Sequence, residues 1–276
     1  MNKNQEEKRR KKRESIDSIR HERKKGLNLL FVMVVRNVKD MYRESVLGII
    51  WTVLNPLLTM FVLSFVYSQL FGRDMPEIKY QVYVLSGMLA FNTIFRAGSS
   101  MGLSSIVGKR YLVMQTTIPI TTYPRVSVYT ALVNFSFSFI ALIIVMALYK
   151  QPFHWTLALT PVFVIPLMLF TLGCAFVLSV VYVYFRDIQN LYNVFTTLLM
   201  YATPIFYTID ALQNPVFNKT IVYNPLNYYV QYFREIIMGH VPTMETHLII
   251  YGVGLFMYAF GYMFIMKARK NFIFHL

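Results

Sequence analysis

The chain has 276 residues, of which 56% are apolar and only 14% are charged, and its mean hydropathy of +0.46 is typical of a membrane protein. Its net charge of +14 would favour nucleic-acid binding on a polar domain, but 14 of the 27 Lys and Arg residues precede residue 48, directly before a long uncharged run. A soluble nucleic-acid-binding protein is therefore excluded, and the single cysteine, Cys174, excludes a disulfide framework or a cysteine metal cluster within one chain.

The amino-terminal region divides into a basic tail and an amphipathic segment. Residues 1–26 are almost entirely polar, and we expect this cytoplasmic tail to lie loosely on anionic lipid. Residues 27–276 would form the membrane domain. Within it, Leu27–Met41 is too short and too often interrupted by charge to cross a bilayer. Its apolar residues share one helical face, which predicts a helix lying in the cytoplasmic interface.

Six apolar segments are candidates for membrane crossing, since a span requires roughly 20 mostly apolar residues. Five segments meet this length: Ile49–Phe71, Val126–Tyr149, Trp155–Phe185, Ile188–Ile209 and Thr246–Met266. The sixth, Tyr80–Phe95, has 16 uncharged residues before Arg96, and it is long enough if Arg96 snorkels or faces a polar cavity. The segments predict an all-α integral membrane protein with six transmembrane helices.

The basic residues predict the orientation of these helices. With six spans both termini lie on one side, and 22 of the 27 Lys and Arg residues then fall on that side. Because Lys and Arg concentrate in cytoplasmic loops, we expect both termini to be cytoplasmic in a multi-pass protein of the cytoplasmic (inner) membrane. Without Tyr80–Phe95 the basic residues that follow it would lie on the wrong side, so the charge distribution supports this span as well.

Two connecting segments have compositions typical of ordered structure. The cytoplasmic loop Gly98–Pro124 is rich in small residues, and a short helix there is suited to dock on a soluble partner. The outer segment Asp210–Glu245 is rich in Tyr and Phe and is broken by Pro and Gly. A re-entrant helical segment before the last span fits this composition better than a polar loop, provided that protein shields its backbone. Within it, Arg234 and Glu235 are expected to form a local charge pair.

A search for catalytic chemistry finds little. The segment Gly102–Arg110 resembles a phosphate-binding loop, but five residues separate its glycines and Arg follows its lysine, where that motif requires four residues and then Ser or Thr. The five histidines lack metal-ligand spacing, and none of the six spans contains Asp or Glu. We therefore expect no enzymatic activity, no metal and no cofactor in this chain, and no coupling to protons.

Aromatic residues make up 16% of the chain and concentrate near the outer halves of two spans. The residues in question are Phe61, Phe65 and Tyr67 in the first span and Phe195, Tyr201, Phe206 and Tyr207 in the fifth. They suit lipid contact and interfacial belts. They equally suit the lining of a pore for sugars, because aromatic faces pack against sugar C–H groups. The sequence leaves both interpretations open.

Four short motifs occur in a characteristic order. They are Arg43-Glu-Ser-Val-Leu-Gly-Ile-Ile-Trp51 with Asn55-Pro56 at the start of the first span, Phe185-Arg-Asp-Ile188 between spans four and five, Thr203-Pro-Ile-Phe-Tyr207 at the end of span five, and Asn224-Pro-Leu226 before the last span. Over residues 27–270 the chain thereby resembles the ABC-2 type permeases that export lipid-linked polysaccharides, including O-antigen and teichoic acid.

The resemblance implies a transport subunit without a nucleotide site of its own. Two copies would form a homodimer around a central pore, and two cytoplasmic ATPase subunits would bind the ATP and magnesium. The coupling helix would lie within Ser105–Thr117, where Lys109, Arg110 and Tyr111 would contact the ATPase. Re-entrant helices within Tyr223–Gly239 would lie near the outer exit, with Tyr228, Tyr232 and Arg234. The Leu27–Met41 helix would frame the lateral entrance for an undecaprenyl-linked polysaccharide.

Three basic residues at that entrance, Arg36, Lys39 and Arg43, are candidates to bind the pyrophosphate of the lipid carrier. They also fit ordinary positive-inside charge. Two other classes of protein are alternatives: an ABC-2 exporter of a drug or small lipid, which shares the fold, and a membrane-embedded transferase, which needs acids or histidines converging at one membrane face. The aromatic content and the set of motifs favour polysaccharide export, with membrane lipids and no nucleic acid among the partners.

Overall fold

The computed structural model describes residues 26–43, 48, 50–51, 53–55, 57–59, 61–62, 78–208, 221 and 223–269, and all regular structure in these ranges is helical. The helices are α1 (26–42), α2 (the helical residues between 50 and 62), α3 (80–104), α4 (Arg110–Gln115), α5 (Thr122–Leu148), α6 (Thr160–Tyr184), α7 (Ile188–Ala202), α8 (Pro225–Met238) and α9 (Met244–Ala268). Short 3₁₀ turns, Val107–Lys109 and Trp155–Leu159, precede α4 and α6. Residues 1–25 of the predicted tail, and Phe65 and Tyr67, lie outside the described residues.

Among the described residues, three helical segments are long and apolar enough to cross a membrane: Thr122–Leu148, Trp155–Tyr184 and Met244–Ala268. They coincide, to within four residues at each end, with three of the spans predicted from the sequence. The last of them begins where the Thr243 hydroxyl oxygen accepts a hydrogen bond from the backbone N–H of Thr246 at 3.3 Å, which satisfies one of the free donors at the helix start.

The shortest predicted span, Tyr80–Phe95, is part of a longer helix. The helix α3 continues through Arg96 to residue 104, with a π-helical segment at Leu89–Arg96 between two α-helical segments. At 1.5 Å per residue its length is at most about 37 Å, which is enough for a bilayer core of about 30 Å. The Arg96 side chain is half-buried, and its Nη2 donates to the Thr197 hydroxyl on α7 at 3.4 Å.

The helix α7 is shorter than the predicted span Ile188–Ile209, because it ends at Ala202. Thr203 is extended (φ −99°, ψ 132°), as expected for a residue before proline, whose ring disfavours the helical conformation of its predecessor. Fifteen residues cover only about 22 Å, less than the hydrocarbon core. Beyond Ala202 the chain turns at 203–207 and packs against the start of α3.

The helix α6 lies at the centre of the bundle, and small residues let its neighbours approach closely. A Cβ atom added to Gly261 on α9 would lie 2.3 Å from the carbonyl oxygen of Gly173 on α6, and one added to Gly173 would lie 2.2 Å from the carbonyl oxygen of Met257. A Cβ on Gly102 of α3 would likewise lie 2.5 Å from the Cβ of Ala175. In a bilayer the hydrophobic effect does not drive helices together, and close backbone contact of this kind stabilises their association instead.

The helix α8 packs into one end of the bundle, against the start of α3, α6 and α9. Nine of its 14 residues are buried, and the ring of Phe233 stacks on Phe163 of α6 with 4.6 Å between ring centroids. It ends at Gly239, which has a left-handed φ of 94° and leaves room for the His154 ring, 2.6 Å from the position of a Cβ there. The helices α1 and α4 lie at the other end, beyond the last turn of α3.

Candidate transport sites

A buried arginine organises the α8 end of the bundle. Arg234 is 0% exposed; its Nη1 donates to the Pro204 carbonyl at 2.8 Å, and its Nη2 donates to the carbonyls of Ile205 at 3.1 Å and Tyr83 at 3.2 Å. Its guanidinium carbon lies 3.4 Å from the centroid of the Tyr83 ring. Burying a charge is costly unless polar partners replace water, and here three carbonyls and an aromatic face do so.

Two of the sequence motifs meet at this arginine. The Tyr83 hydroxyl donates to the Tyr207 carbonyl at 2.8 Å, and the Tyr80 hydroxyl donates to the Phe206 carbonyl at 3.0 Å. Asn224 accepts from the Leu226 N–H at 3.0 Å, which caps α8, and donates to the Thr203 hydroxyl at 2.8 Å. We refer to Tyr80, Tyr83, Thr203–Tyr207, Asn224 and Arg234 as the Arg234 cluster. It fixes the 203–207 turn to both α3 and α8.

The described residues contain no ion pair between Arg234 and its neighbour Glu235, so the predicted local charge pair is wrong: the arginine points into the bundle and binds backbone carbonyls instead. The other two residues assigned to the re-entrant segment differ in burial. Tyr232 is fully buried and its hydroxyl lies 2.7 Å from Nε2 of His247, whereas Tyr228 is half-buried on the main core.

The aromatic side chains proposed for the pore fall into two groups. Phe61, Phe195 and Tyr201 are more than half exposed on the surface of this single chain, while Phe206 is buried in the Arg234 cluster and Tyr207 is half-buried. On α7, Phe195 and Tyr201 belong to an exposed apolar stripe whose members recur every three or four residues, namely Leu191, Val194, Phe195, Leu198 and Tyr201. A face of this kind requires cover by lipid, a second chain or cargo.

The predicted coupling segment forms a short exposed helix at the opposite end. Tyr111 is 72% exposed on α4, and Leu112 and Met114 are also exposed, next to the charged Arg110. Val113 faces inward and packs on the smaller of the two core clusters, around α5, α6 and α9. An apolar surface with a basic rim, held by one inward side chain, is suited to contact another protein.

The three predicted entrance residues Arg36, Lys39 and Arg43 are all exposed along α1. Arg36 lies 3.7 Å from Asp40, and both side chains are more than half exposed, so this ion pair adds little to stability. The stronger link lies beside them: Lys109 Nζ donates to the Asn37 side-chain oxygen at 2.8 Å. Burial and, to a smaller extent, the nearby charge of Arg36 lower the pKa of Lys109, while Asp40 acts in the opposite direction.

Two neighbouring cavities with several polar side chains in their linings follow the groove between α3 and α5, and we name them together the polar track. The inner cavity, of about 310 Å³, lies under α2 and is lined by Asn55, Thr59, Met88, Leu89, Asn92, Thr93, Ala97, Asn134 and Ser138. The second, of about 410 Å³, lies under α1 and is lined by Asn37, Asp40, Met41, Met101, Ser104, Ser105, Gly108, Lys109, Ser127 and Thr130. Thr130 and Asn134, one helical turn apart, join the two cavities.

The sequence analysis missed the polar track, although a signal was present. On α5 the residues Ser127, Thr130, Asn134 and Ser138 recur every three or four positions and therefore share a face of an otherwise apolar helix. The π-helical segment of α3, which changes the angle between successive residues, had no comparable signature. Such segments are frequent at functional sites.

A helical bundle whose described residues include three helices long and apolar enough to cross a bilayer is typical of an integral membrane protein. The model of the ABC-2 type transporter family matches residues 28–238. The O-antigen export system permease protein RfbA of Myxococcus xanthus is 30% identical over 219 residues, which cover 79% of this chain and 83% of that protein. The chain therefore belongs to the ABC-2 type transporter family, as the four motifs indicated.

Two further relatives agree with this assignment. A protein of the same name from Klebsiella pneumoniae is 24% identical over 247 residues, covering 89% of this chain and 93% of that protein. The polysialic acid transport protein KpsM of Escherichia coli is 22% identical over 208 residues, covering 75% and 80%. The family match over residues 28–238 includes most of α1, all of α4 and the Arg234 cluster.

Proposed function

We propose that this chain is the permease subunit of an ABC exporter that carries a lipid-linked cell-surface polysaccharide, of the O-antigen or teichoic acid type, across the cytoplasmic membrane. One observation carries the proposal: the similarity extends over most of the chain to permeases named for O-antigen export and polysialic acid transport. ATP would be bound and hydrolysed in a separate ATPase subunit.

The proposed topology has six spans, formed by α2, α3, α5, α6, α7 and α9, with both termini in the cytoplasm. The arrangement of the helices supports this topology, because α1 and α4 lie at one end of the bundle and α8 lies at the other. In this topology α8 is the re-entrant segment. Together with the 203–207 turn it would fill the part of the outer leaflet that the short α7 does not reach.

The exposed face of α4 is the proposed contact with the ATPase, since Tyr111, Leu112 and Met114 offer an apolar surface beside Arg110. A second copy of the chain would cover the exposed stripe of α7 around Phe195 and complete a central pore. Arg36, Lys39 and Arg43 on α1 would attract the pyrophosphate of the undecaprenyl carrier at the lateral entrance.

Deletion of the gene tests the function directly. The strain should lose surface polysaccharide and accumulate the lipid-linked polymer inside the membrane, and the intact gene, expressed with its ATPase, should restore export. The alternative, an exporter of a drug or small lipid, is favoured by a wholly apolar cavity of about 290 Å³ between α3, α6, α7 and α9, lined in part by Phe95, Cys174 and Phe195. Unchanged surface polysaccharide with increased sensitivity to an apolar compound would support this alternative and refute polysaccharide export.

A further inference from the structure

The inner cavity of the polar track has a lining that is unusually rich in polar side chains for a groove between membrane helices. Six uncharged hydrogen-bonding side chains from three helices face it, including the amides of Asn55, Asn92 and Asn134. None of the described residues that line it is acidic, basic or aromatic. In the second cavity the described lining includes Lys109 and Asp40, which lie at the α1 end. Polar side chains within a membrane protein are costly unless polar groups contact them, so their concentration in one groove favours a functional role.

Polar side chains between membrane helices often bind the helices together, and some of the side chains here do so while others do not. The hydroxyls of Thr93 and Thr130 donate to carbonyls one turn back on their own helices. Across elements, the Asn134 side-chain oxygen accepts from Tyr42 of α1 at 3.1 Å. Within the described part of the chain, no group lies within hydrogen-bonding distance of the amides of Asn55 and Asn92. Those two amides therefore remain available to a ligand.

We propose that the polar track is a contact site for the uncharged sugar residues of the exported polymer. This inference rests on the proposed function. It places contact with the polymer in the polar track and not at the aromatic side chains predicted to line the pore. Amides and hydroxyls donate and accept alike, as sugar hydroxyls do, whereas a small apolar compound would leave them unpaired. A cavity of about 310 Å³ is of the size at which small-molecule sites begin.

The absence of charge in the inner cavity suits a polymer that must leave as readily as it enters. A path for transport must bind its cargo well enough to admit it and weakly enough to release it. Hydrogen bonds between neutral groups are weaker than hydrogen bonds to charged groups. The side chains of Asn92 and Thr93 would therefore guide sugar units without trapping them.

Cysteine labelling in inverted membrane vesicles tests the proposal with the complete permease and its ATPase. The native Cys174 is replaced by Ala, and the Thr93→Cys variant places a thiol in the inner cavity with little change in volume. Ile140→Cys is the matched control, because Ile140 is half exposed on another face of α5. The vesicles come from cells that make the polymer, with an ATPase inactivated by mutation, and from cells that cannot make it.

We expect a small water-soluble methanethiosulfonate reagent to label Thr93→Cys in polymer-free vesicles and to label it at least fivefold more slowly when the polymer is present. Ile140→Cys should behave identically in both. A Thr93→Cys thiol that is unreactive without the polymer, or equally reactive with it, overturns the proposal. Failure of the proposed function is distinguishable from failure of this inference, because surface polysaccharide would then survive deletion of the whole gene.

Substitution of Asn92 provides a second measurement. Asn92→Leu keeps the approximate shape but removes the amide, and it should reduce export at least fivefold while the amount of permease–ATPase complex in the membrane stays within twofold of wild type. Asn92→Gln, which restores an amide, should recover part of the export. Wild-type export by Asn92→Leu would overturn the proposal.

Discussion

Replacement of Arg234 by methionine should destabilise the protein, although it removes a buried charge. The charge is costly to bury, but it supplies the donors for the carbonyls of Tyr83, Pro204 and Ile205 at 2.8–3.2 Å. Methionine fills similar space and donates nothing. The Ile205 carbonyl would then lose its partner, whereas the Pro204 carbonyl keeps the Tyr83 hydroxyl at 3.3 Å and the Tyr83 carbonyl keeps the Ser86 hydroxyl at 2.9 Å.

The magnitude follows from the balance of these terms. The Ile205 carbonyl left without a partner costs about 1–3 kcal/mol, and the two other lost hydrogen bonds cost about 1 kcal/mol each. The lost contact with the Tyr83 ring costs about 1–2 kcal/mol more. Relief of the desolvation penalty of the guanidinium offsets several kcal/mol of this sum. We therefore expect a net loss of about 3 kcal/mol and a melting temperature lower by roughly 5 °C or more.

The assay is thermal unfolding of the detergent-purified permease–ATPase complex, followed by loss of the monodisperse chromatography peak, together with export in cells. Arg269→Met is the control, because Arg269 is exposed at the end of α9. Arg234→Lys should give an intermediate result, since one ammonium group cannot replace the planar fork of donors. An Arg234→Met protein with wild-type stability and export would refute the structural role assigned to this cluster.

Three more predictions concern packing, docking and pH. Gly261→Ala should reduce the amount of folded permease in membranes severalfold, because its Cβ would lie 2.3 Å from the Gly173 carbonyl oxygen. Gly252→Ala should be neutral, because no atom lies within 4 Å of the position of its Cβ, and quantitative blotting measures both variants. Tyr111→Asp should abolish copurification of the ATPase and leave the permease level unchanged, and intact copurification would argue against α4 as the contact. Folding lowers the pKa of Lys109, so the unfolded chain binds that proton more tightly, and the stability of the fold should rise with pH just below 10.5. Lys109→Met should remove this rise in melting temperature, and an unaltered rise would refute the prediction.

Most of the architecture was accessible from the sequence, because the membrane imposes simple rules on composition. The helices of three predicted spans lie where uniform apolar runs indicated, and the helix α3, which contains the predicted span Tyr80–Phe95, continues through Arg96 to residue 104. The end of α7 was predicted seven residues late, since hydropathy continues to Ile209 while Pro204 prevents the helix from following it.

The candidate sites were harder to predict, because they depend on which residues meet in space. Arg234 precedes a glutamate in the sequence, yet its partners are backbone carbonyls about 30 and 151 residues away. Backbone groups carry no sequence signal. Lys109 was assigned to contact with the ATPase, but its amine reaches back to Asn37 and leaves Tyr111 and Leu112 to form the exposed face of α4.

The helix α3 links these features, and this arrangement separates stability from transport. At its start, Tyr80 and Tyr83 are bound into the Arg234 cluster, whose arginine is buried and donates to three carbonyls. In its middle, Asn92 faces a cavity, and its side-chain amide has no hydrogen-bond partner among the described residues. Loss of Arg234 should therefore lower stability and export together, whereas loss of the Asn92 amide should lower export alone. Equal losses of stability from both substitutions would mean that the polar track belongs to the packing of the bundle and not to the path of the polymer.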